Sequence, residues 1–265
     1  MGASKTLAPA AATIRICNGL EELRACVALQ KDVWKFSDAD LVPLRMFVVA
    51  EKIDGQVIGA FVRKQLAGFS LSLPAMRDGK PYLHSHMLAV SDQYRNAGLG
   101  RKLKLFQRED AMRRGYDLIE WTFDPLEIKN SYFNIERLGA IARRYIVDQY
   151  GASSSPLQGG LPTDRLIAEW WLKSGRVNAR IHDRAVAPVT TKKIFVPADI
   201  YQWKASPNIR KRARTLQKKN REEFVRAFSS QFAVLGYERD ESGNGAFLLG
   251  CGMTKVKRSK HSHED

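Results

Sequence analysis

Apolar and polar positions change their spacing repeatedly along the chain, and each change predicts an element. The run 13-TIRICN-18 reads as a short strand. Asn18 is then expected to cap a helix with Leu20, Leu23, Val27 and Trp34 on one side. Residues 43–54 predict a second helix, entered at Pro43 and ended before Gly55. The apolar runs 57-VIGAF-61 and 66-LAGFSLSL-73 flank a polar link at 62–65, the pattern of an antiparallel hairpin. A loop, 74-PAMRDGKP-81, leads into a strand, 82-YLHSHMLAV-90. A bend with Gly98 and Gly100 opens a helix over about 99–115. A buried strand, 118-LIEWTF-123, and a helix over about 130–145 follow. The segment 151-GASSSPLQGGLPTD-164 is a loop by composition. In 165-RLIAEWWL-172, Leu166, Ala168, Trp170 and Leu172 alternate with more polar neighbours, so a strand is expected, with a helix as the alternative.

The remainder differs in character. A strand is expected around Ile194–Val196, a strongly basic helix over about 207–229, and two strands within 232–250 about a Gly/Asn/Ser turn. The charged end, 251–265, and the first twelve residues, 1–12, read as disordered tails. No fixed-period repeat is present.

At 265 residues with 44% apolar and 9% aromatic content, the chain is globular and long enough for a sizeable core. The formal charge of +15 changes the picture by calling for an anionic partner: nucleic acid, an acidic membrane surface or a phosphate-bearing cofactor. Cys17, Cys26 and Cys251 are scattered and lack any CxxC, which argues against a disulfide framework or zinc site and for a reducing, cytoplasmic compartment. No apolar run approaches a membrane span, and the N-terminus lacks a signal-peptide core. Gly2 and Thr6 match the loose myristoylation pattern, but a frayed tail is the preferred reading.

The glycine bend carries the chemistry. Glycine has no Cβ to block a close approach, and the first amides of a helix lack internal partners and carry partial positive charge. Arg95, Arg101 and Lys102 add full charges around it. The combination suits phosphate; the alternative is a plain glycine turn. Neither the Walker pattern nor the dinucleotide fingerprint is present.

The run Leu88-Ala89-Val90-Ser91-Asp92-Gln93-Tyr94-Arg95-Asn96-Ala97-Gly98-Leu99-Gly100 resembles the acetyl-CoA loop of the GNAT acyltransferase superfamily, with Arg95, Gly98 and Gly100 at the fixed positions of R/Q-x-x-G-x-G/A. The phrases YLHSHML, WTFDPLE, RLGAIARRY, SSPL, GLPTDRL and EWWL are similar to those of a branch of predicted GNAT acetyltransferases that spans nearly the whole chain. The resemblance implies an α/β (α+β) fold: a mixed, largely antiparallel central sheet with flanking helices. The GNAT-like domain would cover 13–175. Residues 176–250 would form a basic C-terminal α/β extension or a small second domain.

The resemblance also implies a cofactor, acetyl-CoA or another acyl-CoA. Its pyrophosphate would meet backbone amides from Arg95 through Asn96, Ala97, Gly98, Leu99, Gly100 and Arg101 to Lys102. Pantetheine would lie between splayed strands 82–90 and 118–123, beside backbone groups of Leu88, Ala89 and Val90. Asn130 and Asn134 are expected to hold it, with helix capping the alternative for Asn130.

Acyl transfer to an amine needs a base for the amine proton and is helped by an acid for the thiolate. His84 and His86, two apart on a strand, share a face. The resemblance puts His84 in the base position; packing within the strand is the alternative. No third residue completes a metal set. The Tyr acid of many family members is replaced by Ile135, leaving Tyr132 or Tyr145. Glu120 and Asp124 are the acidic groups expected near an acceptor amine. Arg143 and Arg144 would either meet an acidic acceptor or form the positive end of a helix.

In 210-RKRARTLQKKNREEFVRAF-228, a solvated basic face with Leu216, Phe224, Val225 and Phe228 turned inward is favoured over a nucleic-acid surface, since no aromatics interleave the basic residues. The leading expectation is a GNAT-type N-acyltransferase acting on a small amine rather than a protein. The alternatives are a non-catalytic CoA-binding or sensing module and, behind it, a nucleic-acid-binding protein. Oligomeric state is left open.

Overall fold

In the computed structural model, residues 12–186 and 191–251 are described. The tails expected at 1–12 and 251–265, and the Gly2/Thr6 pattern, lie outside them except for residues 12 and 251. The N-terminal strand, β1 (Thr13–Ile16), leads into α1 (Gly19–Trp34) and α2 (Leu44–Lys52). Asn18 stands at the N-cap, but its side chain does not cap; its own N–H donates to Glu22 Oε2 at 2.7 Å. The buried face of α1 is Leu23, Cys26, Leu29 and Gln30, while Leu20 is exposed, a correction to the predicted face.

The hairpin β2 (Gln56–Val62) and β3 (Gln65–Arg77) turns at Arg63 and Lys64, both with positive φ (48° and 69°). This is the backbone of a type I′ turn, whose twist matches that of the strands. The loop expected over 74–81 is mostly strand. β3 continues to Arg77, turns at Asp78–Gly79, and pairs back with β4 (Lys80–Val90) down to Arg77↔Lys80. An Asp-Gly pair favours such a tight turn.

After β4 come α3 (Leu99–Arg113), β5 (Leu118–Phe123) and α4 (Ile128–Tyr132), which continues as one wide π turn over Phe133–Arg137. The helix expected over 130–145 therefore stops early. Gly139 takes φ 78°, and a Cβ there would meet Val177 Cα at 3.0 Å. The chain then extends as β6 (Ile141–Ile146), so Arg143 and Arg144 are strand residues, not a helix end. β7 (Arg165–Trp171) settles the strand-or-helix alternative as strand. The short helix α5 (Gly175–Ile181) was not expected. The rest is β8 (Lys192–Val196), α6 (Ile200–Ala205), α7 (Arg210–Ser229), β9 (Phe232–Arg239) and β10 (Gly245–Cys251).

All strands join one 10-stranded sheet in the order β1-β2-β3-β4-β5-β7-β6-β9-β10-β8. It is largely antiparallel, with β4–β5 the parallel pair. Phe69, Leu71, Met87 and Ala89 pack with Leu23, Cys26 and Phe47 of α1 and α2 on one face. Leu88 and Val90 pack with Ile58 and Leu103 of α3 on the other. The C-terminal strands continue the sheet from β6 through β9.

Helix α7 lies on these strands with Ala213, Gln217, Asn220, Phe224, Ala227 and Phe228 inward. Val225, expected inward, is exposed, because the buried stripe follows 213, 217, 220, 224 and 227 and leaves 225 a quarter-turn away. Phe224 stacks on Tyr145 at 5.6 Å. Arg221 donates twice to Asp164, which is fully buried and also accepts from Tyr145. Removing one partner of a buried ion pair leaves the other charge uncompensated. Asp164→Ala is therefore expected to lower stability by about 3 kcal/mol or more, measured as a drop in the urea midpoint.

Candidate active site

The site is built where two parallel strands part. β4 and β5 pair only at Leu83↔Ile119 and His84↔Glu120. Beyond those rungs β4 runs on to Val90 and β5 to Phe123 with no pairing between them. A β-bulge starts the divergence. Leu71 opposes Met87 and Ser72 opposes Ser85, so His86 is an extra residue on β4. A bulge bends its strand and increases the local twist. It also reverses the parity of the side chains. Ser85 points to α3, where it accepts from Lys104 and Gln107, whereas Met87 joins the α1–α2 core. The cleft thus opens through the sheet, with α3 on one side and α1–α2 on the other.

At the far end of β4 the chain makes a 3₁₀ turn at Asp92–Tyr94 and enters α3 through Asn96 (φ 63°) and Gly98 (φ 77°). The first helical bond is from the Lys102 N–H to the Gly98 carbonyl, 3.1 Å. The amides of Asn96, Gly98, Leu99, Gly100 and Arg101 have no backbone acceptor among the described residues. Nothing lies within 4 Å of the place a Gly98 Cβ would occupy. Free donors in consecutive order at a helix start form an anion cradle. Arg95 pairs with Asp92 at 2.9 Å, Lys102 is exposed, and Ala97 donates to the Tyr94 carbonyl at 3.4 Å. Arg101 is not free. It donates to the Ile181 carbonyl at 2.6 Å, and Asp183 bridges it, at 3.5 Å, to Arg137, at 3.0 Å. The end of α5 therefore lies beside the cradle.

His84 sits on the last paired rung, on the same face as Leu73 opposite it and hence the α1–α2 side. Its ring centroid is 6.1 Å from that of His86, which the bulge leaves exposed. Burial lowers the pKa of His84 below the usual histidine value and the neighbouring His86 adds to it; partial desolvation at the ring lowers that of His86, although the residue as a whole is exposed. Both imidazoles are therefore neutral at pH 7, the state that accepts a proton.

Glu120 is the partner of His84 in the register, but its oxygens are taken. Arg77 grips both of them, and Arg144 donates to Oε1 at 2.5 Å. Despite burial, these guanidinium groups hold its carboxyl below the usual range, which makes Glu120 a poor proton acceptor. Asp124 is likewise engaged, by Lys204 at 3.1 Å and by the Leu126 N–H at 2.8 Å.

No protein-family model and no curated protein matches the chain. Solved structures do. A GNAT-family protein from Desulfovibrio desulfuricans aligns over 61% of this chain and 99% of its own, at 16% identity and TM-score 0.50. The ribosomal-protein-S18-alanine N-acetyltransferase of Escherichia coli aligns over 62% and 96%, at 15% identity and TM-score 0.50. Salmonella typhimurium yncA, solved with its cofactor acetyl-CoA, aligns over 68% and 98%, at 16% identity and TM-score 0.51. The fold is that of the GNAT acetyltransferases.

On this GNAT fold the remaining expected residues fall as follows. Asn134 is buried and accepts from the Trp121 indole at 3.2 Å; Asn130 is exposed and lies 3.5 Å from Asn134. Ile135 is fully buried. Tyr132 packs against the main core with Arg239 over its ring at 5.7 Å, and Tyr145 donates to Asp164. Neither tyrosine has a described contact with His84 or the glycine turn. No group of His, Cys, Asp and Glu among the described residues is placed to hold a metal, and no helix there is long and apolar enough to cross a membrane.

One residue near the cleft escaped sequence reasoning. Lys104 of α3 is buried with no carboxylate partner among the described residues; its Nζ donates to Ser85 Oγ at 3.1 Å and Gln107 Oε1 at 2.8 Å, and lies 3.6 Å from the Trp121 ring centroid. An amphipathic pattern puts such a lysine outside. Here Ser72, Ser85 and Gln107 line the α3–sheet interface and receive it. Burial pushes its pKa well below the ordinary lysine value. Between that lowered pKa and the ordinary 10.5 the unfolded chain binds more protons at Lys104 than the folded chain, so folding stability rises with pH across that window. Lys104→Met is expected to be more stable than wild type at pH 7, with the difference shrinking towards pH 10. Denaturant midpoints across that range check it.

Proposed function

We propose that the chain is an acyl-CoA-dependent N-acyltransferase that transfers acetyl from acetyl-CoA directly to an amine. The observation that carries this reading is the set of unpaired amides from Gly98 to Arg101 beside the opened β4–β5 cleft. Those amides and that of Asn96 would hold the pyrophosphate, with Lys102 and Arg95 nearby. The free edge of β4 at Leu88–Val90 would align the pantetheine, and Asn134 would border it across the cleft. The bound thioester supplies an activated acyl group. His84, neutral and on the acceptor face, takes the proton of the attacking amine as the C–N bond forms and the C–S bond breaks. The thiolate leaves and is protonated by solvent, since Ile135 replaces the usual tyrosine. Glu120 serves to hold Arg77 and Arg144 rather than to move a proton. The acceptor is a small amine, and the free thiols Cys17, Cys26 and Cys251 favour a reducing, cytoplasmic setting.

Calorimetric titration with CoA and acetyl-CoA, followed by thiol release against a panel of amines, tests the reading. Cofactor binding with amine-dependent thiol release is expected. Binding without release would leave the non-catalytic CoA module, which the apolar Ile135 favours; no binding would remove both.

A further inference from the structure

Resting on the acyltransferase reading, we propose that the acceptor amine carries a carboxylate, and that Arg77 and Arg144 are the residues that select it. Three arginines and two glutamates meet on the face opposite α3, level with His84. Glu120 and Glu169 stand directly opposite each other across β5 and β7. Two like charges in that position repel. Arg77 holds Glu120, Arg143 holds Glu169, and Arg144 lies between them, 2.5 Å from Glu120 and 3.7 Å from Glu169. Consecutive strand residues ordinarily point to opposite faces. A bulge in β6 between Ala142 and Tyr145 lets Arg143 and Arg144 reach the same face.

The arrangement is layered. The glutamate side chains are 4% and 5% exposed, whereas those of Arg77 and Arg144 are 35% and 39% exposed. The acids lie beneath and the guanidinium groups meet solvent. Three positive charges against two negative leave an excess of one, and the two histidines beside them are neutral. A guanidinium has five N–H donors in a planar fork that matches a carboxylate. Glu120 takes one bond from each of two Arg77 nitrogens and one from Arg144. Arg77 is also braced over the Tyr82 ring at 4.7 Å, which fixes its plane.

Position then selects the substrate. Glu120 pairs with His84, so the arginine pair stands beside the base where the strands part. A carboxylate docked on Arg77 and Arg144 would bring an amine one or a few carbons away to His84. An acceptor with several ammonium groups would meet the excess positive charge instead. On the acyltransferase reading the donor would be held at the start of α3, on the other face of the sheet, which leaves the arginines to the acceptor.

The test is initial rates of thiol release with acetyl-CoA and a panel of α-, β- and γ-amino acids, each beside its carboxamide. At least one acid is expected to exceed its carboxamide about tenfold or more in kcat/KM, through KM. The carboxamide of an α-amino acid has the more easily deprotonated amine, so such a preference does not come from basicity. Arg77→Gln is expected to raise KM for the acid about tenfold more than it raises KM for the carboxamide. Equal use of acids and carboxamides, or a preference for diamines, overturns the proposal. Absence of release with every amine, in protein shown separately to bind acetyl-CoA, overturns the acyltransferase reading and this one with it.

Discussion

Gly100→Glu is expected to abolish CoA binding while leaving the fold intact. Gly100 lies in the first turn of α3, and a Cβ there would meet only Leu88 and Val90 side-chain atoms, each at 3.9 Å. That is ordinary contact, so no strain follows. The carboxylate would enter the space between the first turn of α3 and the edge of β4 and repel a phosphate held by the neighbouring amides. A loss of at least a hundredfold in affinity is expected, which corresponds to about 2.8 kcal/mol. Gly98→Glu would also lose binding but is the less clean variant. Gly98 takes φ 77°, where an L residue costs about 1–2 kcal/mol. Titration of CoA into folded protein, with thermal melts of each variant alongside, separates lost binding from lost stability. Retention of wild-type affinity in Gly100→Glu would mean the cradle is not used.

His84→Ala is expected to lower kcat/KM by about a hundredfold or more, the usual contribution of a general base, with CoA affinity unchanged. The pH profile gives a second readout. A base works when neutral, and burial beside His86 lowers the pKa of His84 below the usual 6.5. Wild-type activity should therefore persist through pH 6.5 and fall only at lower pH, as the imidazole gains its proton. In His84→Ala that acid limb should disappear from whatever activity remains. His86→Ala should change turnover little, since the bulge turns His86 to solvent. Equal loss in both variants would point to a shared structural role.

The glycine turn was legible in the sequence because its requirements are local. Small residues, flanking arginines and an apolar strand before a helix all lie within 90–102. The strands on either side of the cleft were legible for the same reason. The bulges were not. His84 and His86 read as one face, and their ring centroids lie 6.1 Å apart, yet nothing in YLHSHML marks His86 as the unpaired residue of a bulge. Arg143 and Arg144 read as a helix end because apolar residues on either side suit a helix as well as a strand. What decides for a strand is tertiary. Gly139 must turn beneath α5, and β6 must then pair with β7. Lys104 was missed because its partners Ser85 and Trp121 are distant in sequence, and α5 because what holds it is distant too: Val177 packs in the main core, Arg180 pairs with Glu136, and the Ile181 carbonyl accepts from Arg101.

Amide hydrogen exchange at Gly98–Arg101, with and without CoA, tests the central claim most directly. These N–H groups have no backbone acceptor, so they should exchange fast in the free protein and become protected when a diphosphate accepts from them. The account predicts that protection appears at these amides on adding CoA, and to a lesser degree on adding pyrophosphate. Saturating CoA with no change in their exchange would contradict it.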